Sequence, residues 1–251
     1  MTSPDNVIMM AFMERGYIEK SREAFIKDNN VIYDKYKGAG GDNVTKYGYE
    51  MHKLYPQTMD FPAAWCDAFV DWCFYKSYGK EEATKMLCGR FDDYTVASAQ
   101  LYKNKKRWVT EKPIPGDQIF FKNSSRICHT GLVYKVDKRY VYTIEGNTSN
   151  KEVLVTNGGT VADKKYPLHY NGIAGYGRPI YDLRATCHLG DCNANVTYLQ
   201  QRLMAKGYQL PKYGADGDFG QETLMALKSF MYDNNIQQSC ACNKECWEKL
   251  M

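Results

Sequence analysis

The sequence predicts a larger α+β domain followed by a small all-α three-helix domain. Three observations lead to this prediction. Helical hydrophobic spacing dominates up to about residue 112, short apolar and β-branched runs follow between residues 118 and 176, and helical spacing returns after residue 191. Helices followed by a run of antiparallel strands are typical of an α+β domain. We therefore place the domains at residues 1–182 and 187–251, with a linker over residues 180–185.

The helical half centres on the ten residues that begin at Trp65. They follow a helix breaker, Pro62, and their apolar side chains recur at the spacing of a helix with one buried face: Cys66, Phe69, Val70, Cys73 and Phe74. Looser helical patterns cover residues 6–27, 45–55, 80–87 and 95–102. We expect the strongest of these helices, the one at Cys66, to lie in the core.

The strand half begins after a turn-rich segment at residues 113–117. Residues 118–121 form a short apolar run, which predicts a buried strand. Residues 129–136 and 140–147 are rich in β-branched and aromatic side chains and are separated by three polar residues, so they predict a hairpin. Residues 153–156 and 173–176 are predicted as further strands.

Composition and charge limit the class of protein. A chain of 251 residues with 44% hydrophobic content can bury a core, and its net charge of +4 is compatible with an acidic polymer such as a cell wall. That excess is too small to predict a nucleic-acid partner. No apolar run approaches a membrane span, and residues 7–13 lack the basic region and cleavage site of a signal peptide. We expect synthesis in the cytoplasm and no stable membrane association.

The nine cysteines are an odd number and cluster in the last quarter of the chain. In a chain expected to be made without an export signal, reduced thiols are the default. A zinc ion held by thiolates is an alternative, and its candidate ligands are Cys187, His188, Cys192, Cys240, Cys242 and Cys246. Their spacing is not that of a known zinc ribbon, so we favour reduced thiols and expect no metal or other cofactor.

Cys66 is the candidate nucleophile. It lies in the first turn of its predicted helix, where free backbone N–H groups and the helix dipole favour an anion and hence a thiolate. The alternative is that Cys66 is one more small buried hydrophobic residue, which is the commoner fate of a single cysteine. A histidine and a polar third residue in suitable positions would favour catalysis.

The predicted hairpin supplies these two groups. Antiparallel register places His129 opposite the end of the next strand, where Glu145 and Asn147 lie, and side chains directly opposite share one face of a sheet. His129 would then act as the base for Cys66, with Glu145 or Asn147 fixing its tautomer. Taken singly, a histidine such as His129 is more often a solvated or core residue, but the ordered combination favours a catalytic site.

Four motifs in order resemble those of CHAP domains, the cysteine, histidine-dependent amidohydrolase/peptidase family: residues 62–72, 115–121, 129–133 and 142–147. The resemblance covers roughly the first 180 residues. It implies a papain-like α+β fold of the CHAP type, cleavage of an amide bond in peptidoglycan, Cys66 as nucleophile, His129 as base, and Glu145 with Asn147 completing the site. Some phage members bind calcium, but residues 42–59 have no dense carboxylate cluster and no metal is carried over.

The last quarter is similar to the small three-helix peptidoglycan-binding domain, through residues 196–200, 207–208, 216–223 and 247–250. It departs from that pattern at the cysteine-rich residues 239–246. We read Asp216 and Asp218 as a structural turn that caps the next helix rather than as a calcium loop.

Together these features predict an endolysin of a bacteriophage or prophage, or a close bacterial relative, that acts on the wall after release. The bond cut is that of an N-acetylmuramoyl-L-alanine amidase or of a peptidoglycan endopeptidase. A non-catalytic wall-binding protein is one alternative. A cysteine peptidase or transamidase acting on protein is another.

Overall fold

The computed structural model describes residues 2–151, 153–181 and 186–250. The chain divides into two compact units, Asn6–Ile180 and Tyr181–Met251, the latter with Met1–Asp5. The predicted linker at residues 180–185 lies mostly outside the described residues, and the predicted domain boundaries stay a prediction.

The helices of the larger unit come first in its chain. They are α1 (Pro4–Met13), α2 (Arg22–Lys27), a 3-10 helix (Asn29–Tyr33), α3 (Lys46–Leu54), α4 (Cys66–Met86) and α5 (Thr95–Asn104). The helical pattern predicted over residues 6–27 is interrupted, because Gly16 turns the chain with a φ of 83° and Ile18 and Lys20 then make isolated β-bridges. Helix α4 continues through Gly79, where the backbone is non-helical, so the helix predicted at residues 80–87 is its second half.

Helix α4 is more deeply buried than its hydrophobic spacing indicates. All nine residues from Cys66 to Phe74 are buried, including the carboxylates of Asp67 and Asp71. The expectation of one buried face was wrong because these two acids have partners in the interior: Ser98 donates to Asp67 and the backbone N–H of Asp92 donates to Asp71. Burying a carboxylate costs less free energy when it accepts hydrogen bonds than when it has no partner.

The strands form one antiparallel sheet in the order β1-β6-β2-β3-β4-β5. They are β1 (Trp108–Val109), β2 (Gln118–Lys122), β3 (Ile127–Val136), β4 (Tyr140–Thr148), β5 (Thr160–Pro167) and β6 (Ile173–Gly177). The strand predicted at residues 153–156 was wrong: Val153 is 59% exposed in a loop, and pairing with β4 begins only at Thr160. A mixed helical and antiparallel class is confirmed, and the papain-like topology stays a prediction.

Aromatic packing fixes the start of α4 against the sheet. The rings of Trp65 and Tyr47 stack at 5.4 Å, and Phe69 meets Tyr47 edge-on at 5.1 Å. On the sheet side, a Cβ at Gly146 would lie 2.6 Å from the Cβ of Phe69 and 2.8 Å from the ring of Trp65. Because glycine has no side chain, β4 can approach the first turn of α4 closely.

The smaller unit contains α6 (Ala194–Ala205), α7 (Gln221–Asp233) and α8 (Lys244–Leu250) around an apolar core. It also has a two-stranded ladder of β7 (Cys187–His188) and β8 (Ala241–Cys242), so the expectation of an all-α unit was wrong at its ends. There the inward-facing Cys187 and Cys242 are buried side by side.

The aspartate-containing turn of the smaller unit is organised by Gln200. Its amide donates to Asp216 and to the backbone oxygen of Asp218, and its oxygen accepts from the N–H of Gly217. The turn is structural as expected, but it does not cap α7, whose N-cap is Gly220.

Within residues 2–151, 153–181 and 186–250, no helix is long and apolar enough to cross a membrane.

Candidate active site

Three predicted side chains from three elements converge in the larger unit. Cys66 is the first residue of α4, His129 lies on β3 and Glu145 on β4. The His129 Nε2 and Glu145 Oε2 atoms are 3.0 Å apart, and the Cys66 thiol is close enough to the imidazole to interact with it. His129 and Glu145 are fully buried and Cys66 is 4% exposed, so Cys66 is the most exposed residue of the three.

The surroundings of His129 favour its protonated form. Burial acts to lower the pKa of His129. Its interactions with Cys66, and then those with Glu145, act in the other direction and raise this pKa to about 10. Because Nε2 faces Glu145, Nδ1 is the nitrogen left for the thiol, and it has no hydrogen-bond partner among the described residues. The arrangement is that of a thiol beside an imidazole whose far side is fixed by a carboxylate.

Strand pairing explains how Glu145 reaches the imidazole. The register pairs Leu132 with Ile144, which brings Gly131 beside Glu145. A Cβ at Gly131 would lie 2.5 Å from the Cγ of Glu145, so the absence of a side chain there gives Glu145 its space. Gly131 was not predicted as a functional residue, although a glycine directly after His129-Thr130 was a signal present in the sequence.

Asn147 has a different environment from Glu145. It is fully buried with a φ of 54°, and neither atom of its amide has a hydrogen-bond partner among the described residues. The sequence left open whether Glu145 or Asn147 holds the imidazole, and the structure pairs it with Glu145. The amide of Asn147 is thus a buried polar group for which the described residues supply no hydrogen-bond partner.

The start of α4 has the features of an anion site. Within the described residues, no side chain caps this turn, because Trp65 occupies the N-cap and makes no capping hydrogen bond. The first N–H groups of a helix lack intrahelical acceptors and carry partial positive charge. An oxyanion formed next to the Cys66 sulfur would therefore meet backbone donors.

A buried polar network behind the nucleophile was missed by the sequence analysis. Gln118 on β2 donates to Asp67 at 2.8 Å and to Thr130 at 3.1 Å, and Ser98 on α5 donates to the same carboxyl of Asp67 at 2.6 Å. Burial raises the pKa of Asp67 to about 7. Since Asp67 follows the nucleophile and Thr130 follows the base, this network ties the two supporting elements together.

The cysteines of the smaller unit do not form the zinc site considered above. The thiol of Cys242 interacts with that of Cys246, which lowers the pKa of Cys246 to about 7, while His188, Cys192 and Cys240 are exposed. Over the described ranges, no group of three or more His, Cys, Asp or Glu side chains is placed to hold a metal ion. Cys66, Cys73, Cys88, Cys128, Cys192, Cys240, Cys242 and Cys246 are thiols outside any disulfide.

An open groove of about 590 Å³ lies on the smaller unit. It runs between the end of α6 and one side of α7, and its lining residues are Gly207, Tyr208, Gln209, Pro211, Glu222, Met225, Ala226 and Ser229. Met225 is 69% exposed there. The groove offers an aromatic and apolar surface with amide and hydroxyl groups beside it.

Cys66, His129 and Glu145 lie within a segment that matches a known family. A CHAP domain is present at residues 57–147. All four predicted site residues lie inside the CHAP domain, whereas Tyr166 and the smaller unit lie outside it.

The segments that are similar to individual known proteins are short. A probable N-acetylmuramoyl-L-alanine amidase of Bacillus licheniformis is 52% identical over 48 residues, 19% of this chain and 14% of that protein. The amidase CwlL of the same organism is 50% identical over 40 residues, 16% of this chain and 11% of its own. Among solved structures, the SleB N-terminal domain shares 25% identity over 27% of this chain and 89% of its own, with a TM-score of 0.25.

Proposed function

We propose that the protein is a peptidoglycan hydrolase that cleaves an amide bond with Cys66 as its nucleophile. The observation that carries the proposal is the convergence of thiol, imidazole and carboxylate at the uncapped start of a helix within a CHAP domain. The similarity of short segments to two N-acetylmuramoyl-L-alanine amidases supports peptidoglycan as the substrate.

In the proposed reaction, His129 accepts the thiol proton and the Cys66 sulfur attacks the carbonyl carbon of the amide. The oxyanion is stabilised by backbone N–H groups at the start of α4, with the free amide of Asn147 as a further donor. Collapse breaks the carbon–nitrogen bond, and the imidazolium gives its proton to the leaving amine. Water, deprotonated by His129, then releases the acyl group from sulfur as a carboxylic acid.

The proposal covers two bonds. Cleavage between muramic acid and the stem peptide defines an N-acetylmuramoyl-L-alanine amidase, and cleavage within the peptide defines an endopeptidase. The names of the similar proteins favour the first. Both leave a new amine end, because in each case nitrogen is the leaving atom.

We further propose that the smaller unit binds the wall, with its groove as the contact surface. Tethering would raise the concentration of substrate seen by Cys66. An origin in a bacteriophage or prophage, synthesis in the cytoplasm and action after release stay predictions, as does the absence of nucleic-acid and stable membrane partners.

The test compares three forms of the full chain on purified cell walls. Wild type should clear the suspension, Cys66→Ala should not, and Cys73→Ala should clear it, because Cys73 is a buried thiol with no place at the site. Cys66→Ala should still sediment with the walls. Clearing by Cys66→Ala would overturn the proposal, and binding without clearing by wild type would favour the non-catalytic alternative.

A further inference from the structure

The carboxylate of Glu145 has two hydrogen-bond donors besides His129. The hydroxyl of Thr143 donates to Oε1 at 2.5 Å, and the hydroxyl of Tyr166 donates to Oε2 at 3.3 Å. Thr143 is fully buried and Tyr166 is 4% exposed, so neither donor is replaced by bulk water. Each oxygen of the carboxylate is therefore held by at least one group of the protein.

The two donors hold different oxygens of the Glu145 carboxylate. Thr143 lies two residues before Glu145 on β4, so both side chains share one face of the strand and Thr143 fixes Oε1. With Oε1 fixed, rotation of the carboxylate is restricted and Oε2 stays directed at Nε2 of His129. Tyr166, from β5, approaches Oε2 from a second strand and supplies another partner for a buried charge.

Tyr166 also has a packing role, which must be separated from its hydroxyl. Its ring lies 4.7 Å from that of Phe121 and stacks on Tyr170 at 5.5 Å, and Phe121 in turn lies 5.9 Å from the ring of His129. Burial, together with Glu145, raises the pKa of Tyr166, so the hydroxyl keeps its proton and remains a donor. Removing the oxygen alone would leave this packing in place.

We propose that Thr143 and Tyr166 are positioning residues that hold the carboxylate of Glu145 against His129 and so keep the imidazole oriented toward Cys66. The inference deepens the proposed function and rests on it for its effect on catalysis. Its effect on His129 can be measured whether or not the protein acts on peptidoglycan.

The titratable groups around this pair are few. Cys66 faces His129 from α4, and Glu145 faces it from β4. Glu145 also feels the charge of Lys164, whose ammonium group donates to the backbone oxygens of Lys151 and Val153 in the loop before β5. None of these groups is altered by changing Thr143 or Tyr166.

The experiment uses Thr143→Val, Tyr166→Phe and the double variant of the full chain, with Tyr170→Phe as matched control because its ring stacks on Tyr166. His129 is titrated by NMR of its ring nuclei, and the pH profile of wall clearing is recorded in parallel. A misaligned carboxylate stabilises the imidazolium less, so the midpoint of His129 should fall by about one pH unit in each single variant. The basic limb of the activity profile should shift with it, and kcat should fall about tenfold at unchanged KM.

The control Tyr170→Phe should leave both readouts at their wild-type values. A His129 midpoint that stays or rises in the three variants, with circular dichroism showing a folded chain, would overturn the inference while leaving the proposed function untouched. If Tyr166→Phe does not fold, the near-isosteric Thr143→Val carries the test alone. Inactivity of wild-type protein on walls would overturn the proposed function, and the NMR titration would still decide the role of the two hydroxyls.

Discussion

Replacing Glu145 by Gln removes a charge from the site and almost nothing else. The amide has the volume of the carboxylate and keeps an oxygen that can face His129 Nε2, now 3.0 Å from Oε2. The effect of the change is therefore the loss of a charge-assisted hydrogen bond to the imidazolium. Such bonds contribute about 1.5–3 kcal/mol, and one pKa unit corresponds to about 1.4 kcal/mol.

The expected consequence is a fall in the pKa of His129 by about one to two units from its value of about 10. At pH 9 the protonated fraction of His129 would drop from roughly 90% to roughly 10–50%. Because the imidazolium protonates the leaving amine, the basic limb of the activity profile should move to lower pH by the same interval. NMR titration of the His129 ring gives the first quantity and wall clearing between pH 6 and 10 gives the second.

The raised pKa of His129 also makes the stability of the folded protein depend on pH. A folded-state pKa above the ordinary 6.5 contributes stability that is fully present below pH 6.5 and is lost as pH rises toward 10. Urea unfolding at pH 6 and pH 10 should show a smaller difference for Glu145→Gln than for wild type. Glu81→Gln, which removes an exposed carboxylate from α4, is the control. An unchanged His129 midpoint in Glu145→Gln would refute the assigned role of the carboxylate.

Three other substitutions test separate parts of the structure. Gly131→Ala places a Cβ 2.5 Å from the Cγ of Glu145, so the activity in wall clearing should fall by more than about tenfold. The control Gly220→Ala should not change this activity, because its added Cβ has no atom within 4 Å. Lys20 is fully buried, and burial lowers its pKa to about 8, so the cost of burying its charge falls as pH rises from 8 to 10.5. Urea unfolding should show Lys20→Met to be more stable than wild type at pH 7, and this difference should shrink over that pH interval. Gln200→Leu leaves several turn groups unpaired and should destabilise the smaller unit by about 2–4 kcal/mol, measured by hydrogen exchange of residues 193–233.

Much of the site follows from local sequence. Apolar spacing after Pro62 located the start of α4 and put Cys66 in its first turn, where the structure has it. The β-branched runs located β3 and β4, and antiparallel pairing then brought His129 near Glu145. These features depend on periodicity and on short connections, which a single sequence contains.

The rest depends on contacts between distant segments. Strand β5 was misplaced because its buried face includes a polar residue: Ala162, Lys164 and Tyr166 are all buried on that face, and a buried lysine does not appear in a hydrophobic pattern. With β5 in the wrong place, Tyr166 was not placed beside Glu145. The choice between Glu145 and Asn147 likewise requires side-chain geometry, because regular alternation along a strand predicts the same face for both residues.

The measurement that tests the account most directly is identification of the ends released from purified peptidoglycan. Mass spectrometry after digestion by wild type should show new amine ends, on stem peptides separated from muramic acid or within the peptide, and none after incubation with Cys66→Ala. New sugar reducing ends without new amines, or identical products from the Cys66→Ala protein, would contradict a thiol-dependent amide hydrolase.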